Sequence, residues 1–211
     1  MKIETFVLGP AMTNAYLMYD LTSKAGLVFD PGMGPDFLVR RIKELGIKLE
    51  AILLTHAHFD HIGGVQEVRS LTNAPVYLHR LEADWMTDPQ KNGSALFPGI
   101  PAIVCDPAEH LLSGGETLSL IGQTFRVLHT PGHSPGSVTY VWGSTIFSGD
   151  VLFKDSIGRT DLPGGSYETL MHSISEKLME MPEETRVLCG HGPETTIGRE
   201  QMHNPYVTGL L

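Results

Sequence analysis

The stretch LLTHAHFDHIGG, residues 53–64, places four potential metal ligands within six consecutive positions. These ligands are His56, His58, Asp60 and His61. The apolar run AILLT before them is typical of a buried strand, and GGVQEVRSL after them has the spacing of a helix. Strand alternation would group the first three ligands and turn His61 away, whereas helical spacing matches none of the close pairs. The stretch therefore predicts a ligand cluster at a strand end whose side chains point in two directions.

Apolar or alternating runs bounded by turn residues recur along the chain and are typical of strands. The ten predicted strands are IETFVL, NAYLMY, GLVFD, AILLT, VYLH, ETLSLI, TFRVLHT, SVTYVW, TIFSGD and RVLCG. Amphipathic segments lie between them, chiefly PDFLVRRIKELG and SYETLMHSISEKLMEMP, for which Gly46 is the expected C-terminal cap and Ser166 the expected N-terminal cap. Many strands with a few interspersed helices predict a layered α/β sandwich.

The length of the chain, residues 1–211, fits one compact domain with a substantial core. Hydrophobic residues make up 41% and charged residues 18%, which is ordinary for a globular protein. The formal net charge of -9, without any Lys/Arg run, argues against nucleic acid as a partner, because phosphate binding needs clustered positive charge. No apolar run reaches the length of a signal peptide or a membrane span, so we expect a cytoplasmic protein without a membrane partner.

Three other predicted strand ends carry ligand-type residues. FRVLHTPGHSPGS supplies His133, TIFSGD supplies Asp150 and RVLCGHGP supplies His191. With the opening stretch they make five histidines and two aspartates, which are the usual ligands of catalytic zinc and of non-haem iron or manganese. Seven ligands are too many for one tetrahedral ion but suit two ions that share one carboxylate. The sequence therefore predicts two divalent metal ions, with zinc expected and iron or manganese as alternatives.

The motif THAHFDH, followed by the later GH, SGD and GHG runs, resembles the pattern H-x-H-x-D-H…H…D…H of the metallo-β-lactamase superfamily. The runs DPQKNGS, TPGHSPGSV, IGRTDLPGGS and CGHGPETT further resemble the short glyoxalase II-like hydrolases of bacteria. The resemblance implies a four-layer αββα sandwich with the metals at one edge. It also implies one metal held by His56, His58 and His133, a second held by Asp60, His61 and His191, and a bridge between them made by Asp150.

The resemblance also implies an activity, thioester hydrolysis of the hydroxyacylglutathione hydrolase type. Its small-molecule partner would be S-lactoylglutathione or a related hydroxyacyl thioester. A water bridging two metal ions has its pKa lowered from about 15.7 toward about 7, so a metal-bound bridging hydroxide is the expected nucleophile. Thiols ionise near a pKa of about 8.5, and the leaving thiolate therefore needs no general acid. The expected catalytic residues are Asp60, Asp150 and Arg159.

Arg159 is the residue expected to hold a substrate carboxylate, because a guanidinium can do so bidentately. An ion pair with Asp161 that only stabilises the loop is an equal alternative. The segment TDPQKNGSALFPGI, residues 87–100, is a candidate border of the pocket. Asp30, in the run FDPG, either orients a ligand histidine or caps a turn.

Five histidines and both cysteines are expected to stay outside the metal cluster. His129 is expected to hydrogen-bond either a ligand or its own loop. The cysteines lie among apolar neighbours and are expected to be buried free thiols. The full set is His79, His110, His129, His172, His203, Cys105 and Cys189.

The main alternative function is a mononuclear iron persulfide dioxygenase, whose family shares H-x-H-x-D-H and a GRTD run. Its iron would be held by His56, His58 or its equivalent, His133 and Asp150, with the second metal position left empty. The run CGHGP argues against it, because that family usually lacks the G-H-G form. A structural metal module is the non-enzymatic alternative, but structural zinc sites are closed and usually rich in sulfur, and this ligand set contains no cysteine.

Overall fold

The computed structural model describes residues 1–209, which form two six-stranded sheets. The first sheet comes from the N-terminal half of the chain. Its strands are β1 (Lys2–Leu8), β2 (Thr13–Tyr19), β3 (Ala25–Phe29), β4 (Lys48–Leu53), β5 (Val76–His79) and β6 (His110–Leu112). They lie in sequence order across the sheet, with β1 to β3 antiparallel and β3 to β6 parallel. The parallel part brings the carboxyl ends of β3, β4 and β5 to one edge.

The second sheet comes from the C-terminal half and has the order β14-β13-β10-β9-β8-β7. Its strands are β7 (Thr117–Leu120), β8 (Gln123–His129), β9 (Val138–Trp142), β10 (Thr145–Gly149), β13 (Arg186–Cys189) and β14 (Thr195–Thr196). A small hairpin of β11 (Leu152–Phe153) and β12 (Ser156–Ile157) follows β10. Because β10 and β13 run parallel, the two strands also end at the same edge.

Within residues 1–209, six α-helices cover or connect the sheets. They are α1 (Asp36–Leu45), α2 (Phe59–Ile62), α3 (Val65–Thr72), α4 (Tyr167–Ser173), α5 (Ile197–His203) and α6 (Pro205–Thr208). The predicted caps are confirmed: Gly46 ends α1 with a left-handed φ of 64°, and the Ser166 hydroxyl accepts the Thr169 N–H at the start of α4. None of the helices within residues 1–209 combines the length and the apolar character that a membrane span requires.

Three apolar cores separate four layers. Between the sheets, Phe29 stacks on Phe147 with ring centroids 3.7 Å apart and ring planes at 5°. On the outer face of the first sheet, α1 and α3 bury Leu38 and Val68. On the outer face of the second sheet, α4 buries Leu170. The order helix, sheet, sheet, helix confirms the predicted αββα sandwich.

All ten predicted strands are present, but several short elements were not predicted. β6, β11, β12 and β14 have two or three residues each, too few to show an alternating pattern. The opening stretch also contains one turn of helix, α2, where the sequence predicts an irregular loop. His58 stays extended, and its carbonyl accepts the N–H groups of His61 and Ile62 at 3.0 and 3.2 Å, which starts that turn.

Candidate metal centre

The seven predicted ligands lie together at one edge of the sandwich, past the ends of β4, β8, β10 and β13. The two sheets are joined there by backbone contacts, because the Asn14 N–H donates to the Gly190 carbonyl at 2.7 Å and Thr13 pairs with His191. Each ligand therefore stands on a loop that a rigid strand anchors, as the sequence predicts. The extended His58 followed by α2 aims the side chains of the opening stretch in two directions.

His56, His58 and His133 form the first cluster, here called the histidine group. His133 Nε2 lies 2.9 Å from His58 Nδ1 and 3.2 Å from His56 Nε2, and all three rings are buried. Burial lowers the pKa of all three side chains, that of His58 to about 3. The group is therefore neutral near pH 7, and its ring nitrogens can offer lone pairs to a cation.

Hydrogen bonds on the far side of two rings fix which nitrogen faces the centre. Thr55 Oγ1 donates to Asp30 Oδ2 at 2.7 Å, so it accepts from His56 Nδ1, which lies 3.1 Å away. His133 Nδ1 donates to the main-chain carbonyl of Arg159 at 2.7 Å. In both rings the Nε2 lone pair then points into the cluster, which is the tautomer that a metal ligand needs.

Asp60, His61 and His191 form the second cluster, here called the carboxylate group. Asp60 Oδ2 lies 3.2 Å from His191 Nε2 and 3.5 Å from His61 Nε2. The same oxygen accepts the Thr13 hydroxyl at 2.8 Å. His61 Nδ1 donates to Asp30 Oδ2 at 3.1 Å, so Asp30 orients a ligand histidine, one of the two roles expected for it.

Asp150 contacts both clusters. Its Oδ2 lies 3.5 Å from His133 Nε2 in the histidine group and 3.3 Å from His191 Nε2 in the carboxylate group. Its Oδ1 lies 3.3 Å from His61 Nε2. A Cβ on Gly190 would stand 2.1 Å from that Oδ1, so only glycine leaves room for the carboxylate. The position fits the bridging role that the family resemblance implies.

The charges and the unpaired polar atoms at this edge of the sandwich are those expected where a metal ion binds. His61 Nε2 and Asp150 Oδ1 are buried, and they find no hydrogen-bond partner among residues 1–209 despite their proximity. Burial opposes protonation of His191, yet hydrogen bonds to Asp150 and Asp60 raise its pKa to about 10. Burial also opposes protonation of His61, and the same carboxylates raise its pKa well above the usual value. This half of the site attracts positive charge, which metal ions would supply in place of protons.

A cavity of about 420 Å³ opens directly onto the cluster. Five ligands and Arg159 contribute to its wall together with apolar side chains from three loops. The complete lining is Pro10, Ala11, His58, Phe59, Asp60, Asn92, Gly93, Phe97, Pro98, Ile100, His133, Asp150, Arg159, Leu162 and His191. Residues 87–100 therefore border the pocket, as predicted.

Arg159 forms the ion pair that was one of its two predicted roles, and its side chain also faces the cavity where a substrate would bind. It lines the cavity, and its Nε and Nη2 donate to Asp161 Oδ1 and Oδ2 at 2.7 and 2.8 Å. Both side chains are more than half exposed, so the pair is a surface ion pair that can open at small cost. The backbone of Arg159 has a separate task that the sequence did not reveal, because its carbonyl holds His133.

The remaining histidines stay outside the metal-ligating groups found in residues 1–209. His79 is buried and stacks on His129 with centroids 4.2 Å apart, and His129 Nε2 donates to the Pro135 carbonyl at 2.9 Å, which makes it a loop anchor. His110 stacks on Tyr77. His172 and His203 are exposed, and both cysteines are buried free thiols, as predicted.

The sequence profile of the Metallo-beta-lactamase superfamily matches residues 8–191, a range that contains all seven clustered residues. The chain belongs to this superfamily. It is 47% identical over 212 residues to the probable metallo-hydrolase YqgX of Bacillus subtilis (strain 168), covering 100% of this chain and 99% of that protein. It is 35% identical over 211 residues to the hydroxyacylglutathione hydrolase GloC of Haemophilus influenzae, covering 98% of each.

Solved structures of the superfamily have the same fold. BLEG-1, a B3 metallo-beta-lactamase, superposes with a TM-score of 0.95 at 49% identity, covering 99% of this chain and 100% of that one. TTHA1623, solved in a di-iron-bound form, gives 0.83 at 40% identity, with coverage of 96% and 99%. ETHE1 from Myxococcus xanthus gives 0.80 at 28% identity, with coverage of 99% and 85%. These relatives support the predicted metal-dependent hydrolase at the level of the superfamily.

Proposed function

We propose that this chain is a metal-dependent thioester hydrolase that acts on S-lactoylglutathione or a related hydroxyacyl thioester. The observation that carries the proposal is Asp150, whose carboxylate lies within 3.5 Å of ligand-type nitrogens in both the histidine group and the carboxylate group. This arrangement supports two neighbouring divalent ions, zinc or alternatively iron or manganese, rather than one. The similarity to GloC, whose name specifies hydroxyacylglutathione hydrolysis, supports the substrate class.

Different groups of the site would have different roles in this reaction. Two divalent ions bound there would lower the pKa of a bound water toward about 7 and polarise the substrate carbonyl. Thr55 and the Arg159 carbonyl hold His56 and His133 with their lone pairs inward. Asp150 fixes the separation of the two groups, so that a nucleophile and a carbonyl bound at this edge meet in one geometry.

The cavity wall supports a thioester with a partly apolar body. Phe97, Ile100 and Leu162 line one part of it, and they exclude water from the acyl group. Arg159 stands at the same wall and can leave Asp161 to bind a substrate carboxylate. No general acid is required for the leaving group, because a thiolate with a pKa of about 8.5 departs without one.

Metal content and substrate specificity, measured on one preparation, test the proposal. We expect two divalent metals per chain and hydrolysis of S-lactoylglutathione, with both reduced in Asp150→Asn. One iron per chain with oxygen uptake on glutathione persulfide would instead identify the persulfide dioxygenase. Two metals without activity on any hydroxyacyl thioester would overturn the substrate class while the metal site remained.

A second candidate function is the hydrolysis of β-lactams. It is favoured by the similarity to BLEG-1, which is described as a B3 metallo-beta-lactamase. The same site would attack an amide instead of a thioester, and an amine is a much poorer leaving group than a thiolate. A chromogenic cephalosporin assayed beside S-lactoylglutathione separates the two. A higher kcat/KM for the cephalosporin would make the β-lactam the better substrate.

A further inference from the structure

A buried glutamate contacts the backbone of two loops that carry metal ligands. Glu82 ends the short helical turn Arg80–Glu82 that follows β5, and it is fully buried. Its Oε2 accepts the Ala57 N–H at 2.6 Å, and its Oε1 accepts the Gly136 N–H at 2.7 Å. A single carboxylate thus spans two backbone groups that belong to different loops.

Those two loops carry the histidine group. Ala57 lies between His56 and His58, on the loop that leaves the first sheet, and Gly136 lies three residues after His133, on the loop that leaves the second sheet. Charge-assisted hydrogen bonds to a carboxylate are short and strong, and both bonds here are buried. The carboxylate therefore fixes the distance between the two ligand loops from a position outside the cavity lining.

The packing around Gly136 leaves no room for a side chain beside the Glu82 carboxylate. A Cβ on Gly136 would stand 2.8 Å from Glu82 Cδ and 2.9 Å from its Oε1, so a larger residue would push the carboxylate away. The bases of the two loops are already joined, because the Val138 N–H donates to the Thr55 carbonyl at 2.8 Å. Glu82 adds a second hydrogen-bonded connection between the loops, next to the ligand histidines.

We propose that Glu82 is a positioning residue that sets the separation of His58 from His133 and thereby the metal affinity of the histidine group. The inference rests on the proposed metal site. Glu82 binds no metal in this proposal and contacts no substrate. Its loss should weaken the histidine group selectively and leave the carboxylate group able to bind metal, because Asp30 and Thr13 hold that half independently.

The substitution Glu82→Gln keeps the shape of the side chain but turns one acceptor into a donor that faces a backbone N–H. The matched control is Glu200→Gln, because Glu200 is equally buried and its carboxylate binds Asp155, Thr195 and Asn204, which lie outside the two loops of the histidine group. Both substitutions should lower the melting temperature of the metal-free protein. Only Glu82→Gln should change the binding of metal.

Zinc affinity is measured by competition with a chromophoric chelator, on the full chain, for the wild type and both variants. We expect Glu82→Gln to lose on the order of 10-fold to 100-fold in affinity for one of two zinc ions, the usual effect of removing a group that orients ligands. Glu200→Gln should match the wild type. Wild-type zinc affinity in Glu82→Gln, or an equal loss in Glu200→Gln, would overturn the inference.

The variant Glu82→Asp decides the question if Glu82→Gln does not fold. It keeps the charge but shortens the reach by one methylene, so it can hold only one of the two N–H groups. We expect a folded protein with one weakened zinc site. A folded Glu82→Asp with wild-type zinc affinity, or a Glu82→Asp that also fails to fold, contradicts a role specific to the histidine group. A wild type that binds none of zinc, iron and manganese would contradict the proposed function itself.

Discussion

The histidine group and the carboxylate group lie side by side and both contact Asp150. Their histidines nevertheless differ in protonation when no metal is bound. Burial leaves the three imidazoles of the first group neutral, whereas the carboxylates of the second raise the pKa values of His61 and His191. One half therefore offers lone pairs at once, and the other half must first release protons. The comparison indicates two metal positions that bind their ions with different numbers of displaced protons, and the predictions below test that difference.

Asp150→Asn should have the largest effect, because it removes the one carboxylate that both halves share. The amide has the same shape but no charge, and its nitrogen cannot accept. We expect kcat/KM for the thioester to fall by about 10³-fold or more, the scale of losing a group that stabilises transition-state charge directly. Steady-state kinetics and metal content of the purified variant provide the measurement.

The matched control is Asp155→Asn, on the nearby hairpin, where the carboxylate pairs with Arg199 at the surface. It should retain both the metal content and the activity of the wild type. Equal losses in both variants would mean that any lost carboxylate in this region disturbs the fold. Full activity in Asp150→Asn would remove the shared carboxylate from the proposed site.

The pH dependence of metal affinity should differ between the halves. Metal binding to the carboxylate group displaces the protons that His61 and His191 keep because their pKa values are raised, the latter to about 10. Metal affinity of this group should rise between pH 6.5 and 8.5, by about 10-fold per pH unit for each proton that binding displaces. The histidine group, neutral over this range, should show almost no dependence. Chelator competition at several pH values, with calorimetry in buffers of different ionisation enthalpy, measures both.

The same difference in protonation predicts that the free energy of unfolding of the metal-free protein is largest at an intermediate pH. A raised pKa, as in His191, contributes stability below the unfolded value of about 6.5 that is lost as pH rises toward 10. A lowered pKa, as in His58, contributes stability above about 6.5 that is lost as pH falls toward 3. The free energy of unfolding of the chelator-treated protein, measured with denaturant, should therefore be largest near pH 6.5. A stability that rises steadily up to pH 9 would contradict these charge states.

The seven clustered residues could be predicted because the sequence marks them twice, by residue type and by position after an apolar run. Strand ends recur at AILLT, TFRVLHT, TIFSGD and RVLCG, and the sheets bring those ends to one edge. The four layers followed from the same pattern of strands and amphipathic helices. Local periodicity was enough here because each ligand lies on a loop that follows a regular strand.

The supporting contacts could not be predicted, because they depend on which loops meet in space. Glu82 lies in a short helical turn without periodicity, and it reaches Ala57 and Gly136 across 25 and 54 positions of the sequence. The carbonyl that holds His133 belongs to the backbone of Arg159 and carries no sequence signal at all. For Asp30 the sequence left two roles open, orienting a ligand histidine or capping a turn, and its contact with His61 shows the first.

Asp30→Asn should weaken the carboxylate group, whose His61 it contacts directly, more than the histidine group, which it reaches only through Thr55. Asp30 accepts His61 Nδ1 and both the N–H and the hydroxyl of Thr55, and an amide cannot accept all three. We expect metal affinity of one site to fall on the order of 10-fold to 100-fold. Asp20→Asn is the control, because Asp20 caps a turn at Thr22 and Ser23 far from metal. Metal titration of both variants distinguishes the orienting role from a turn-capping one.

Arg159→Gln should have the smallest effect and should spare both halves of the metal site. The substitution removes the guanidinium but keeps the main-chain carbonyl that accepts His133 Nδ1, so metal content should not change. KM for a thioester that carries a carboxylate should rise by about 10-fold, as expected for the loss of one charge-assisted contact, and KM for an uncharged thioester should not. Asp161→Asn should act in the opposite direction, because it frees Arg159 from its ion pair. Equal changes in KM for charged and uncharged thioesters would leave Arg159 as a loop-stabilising residue only.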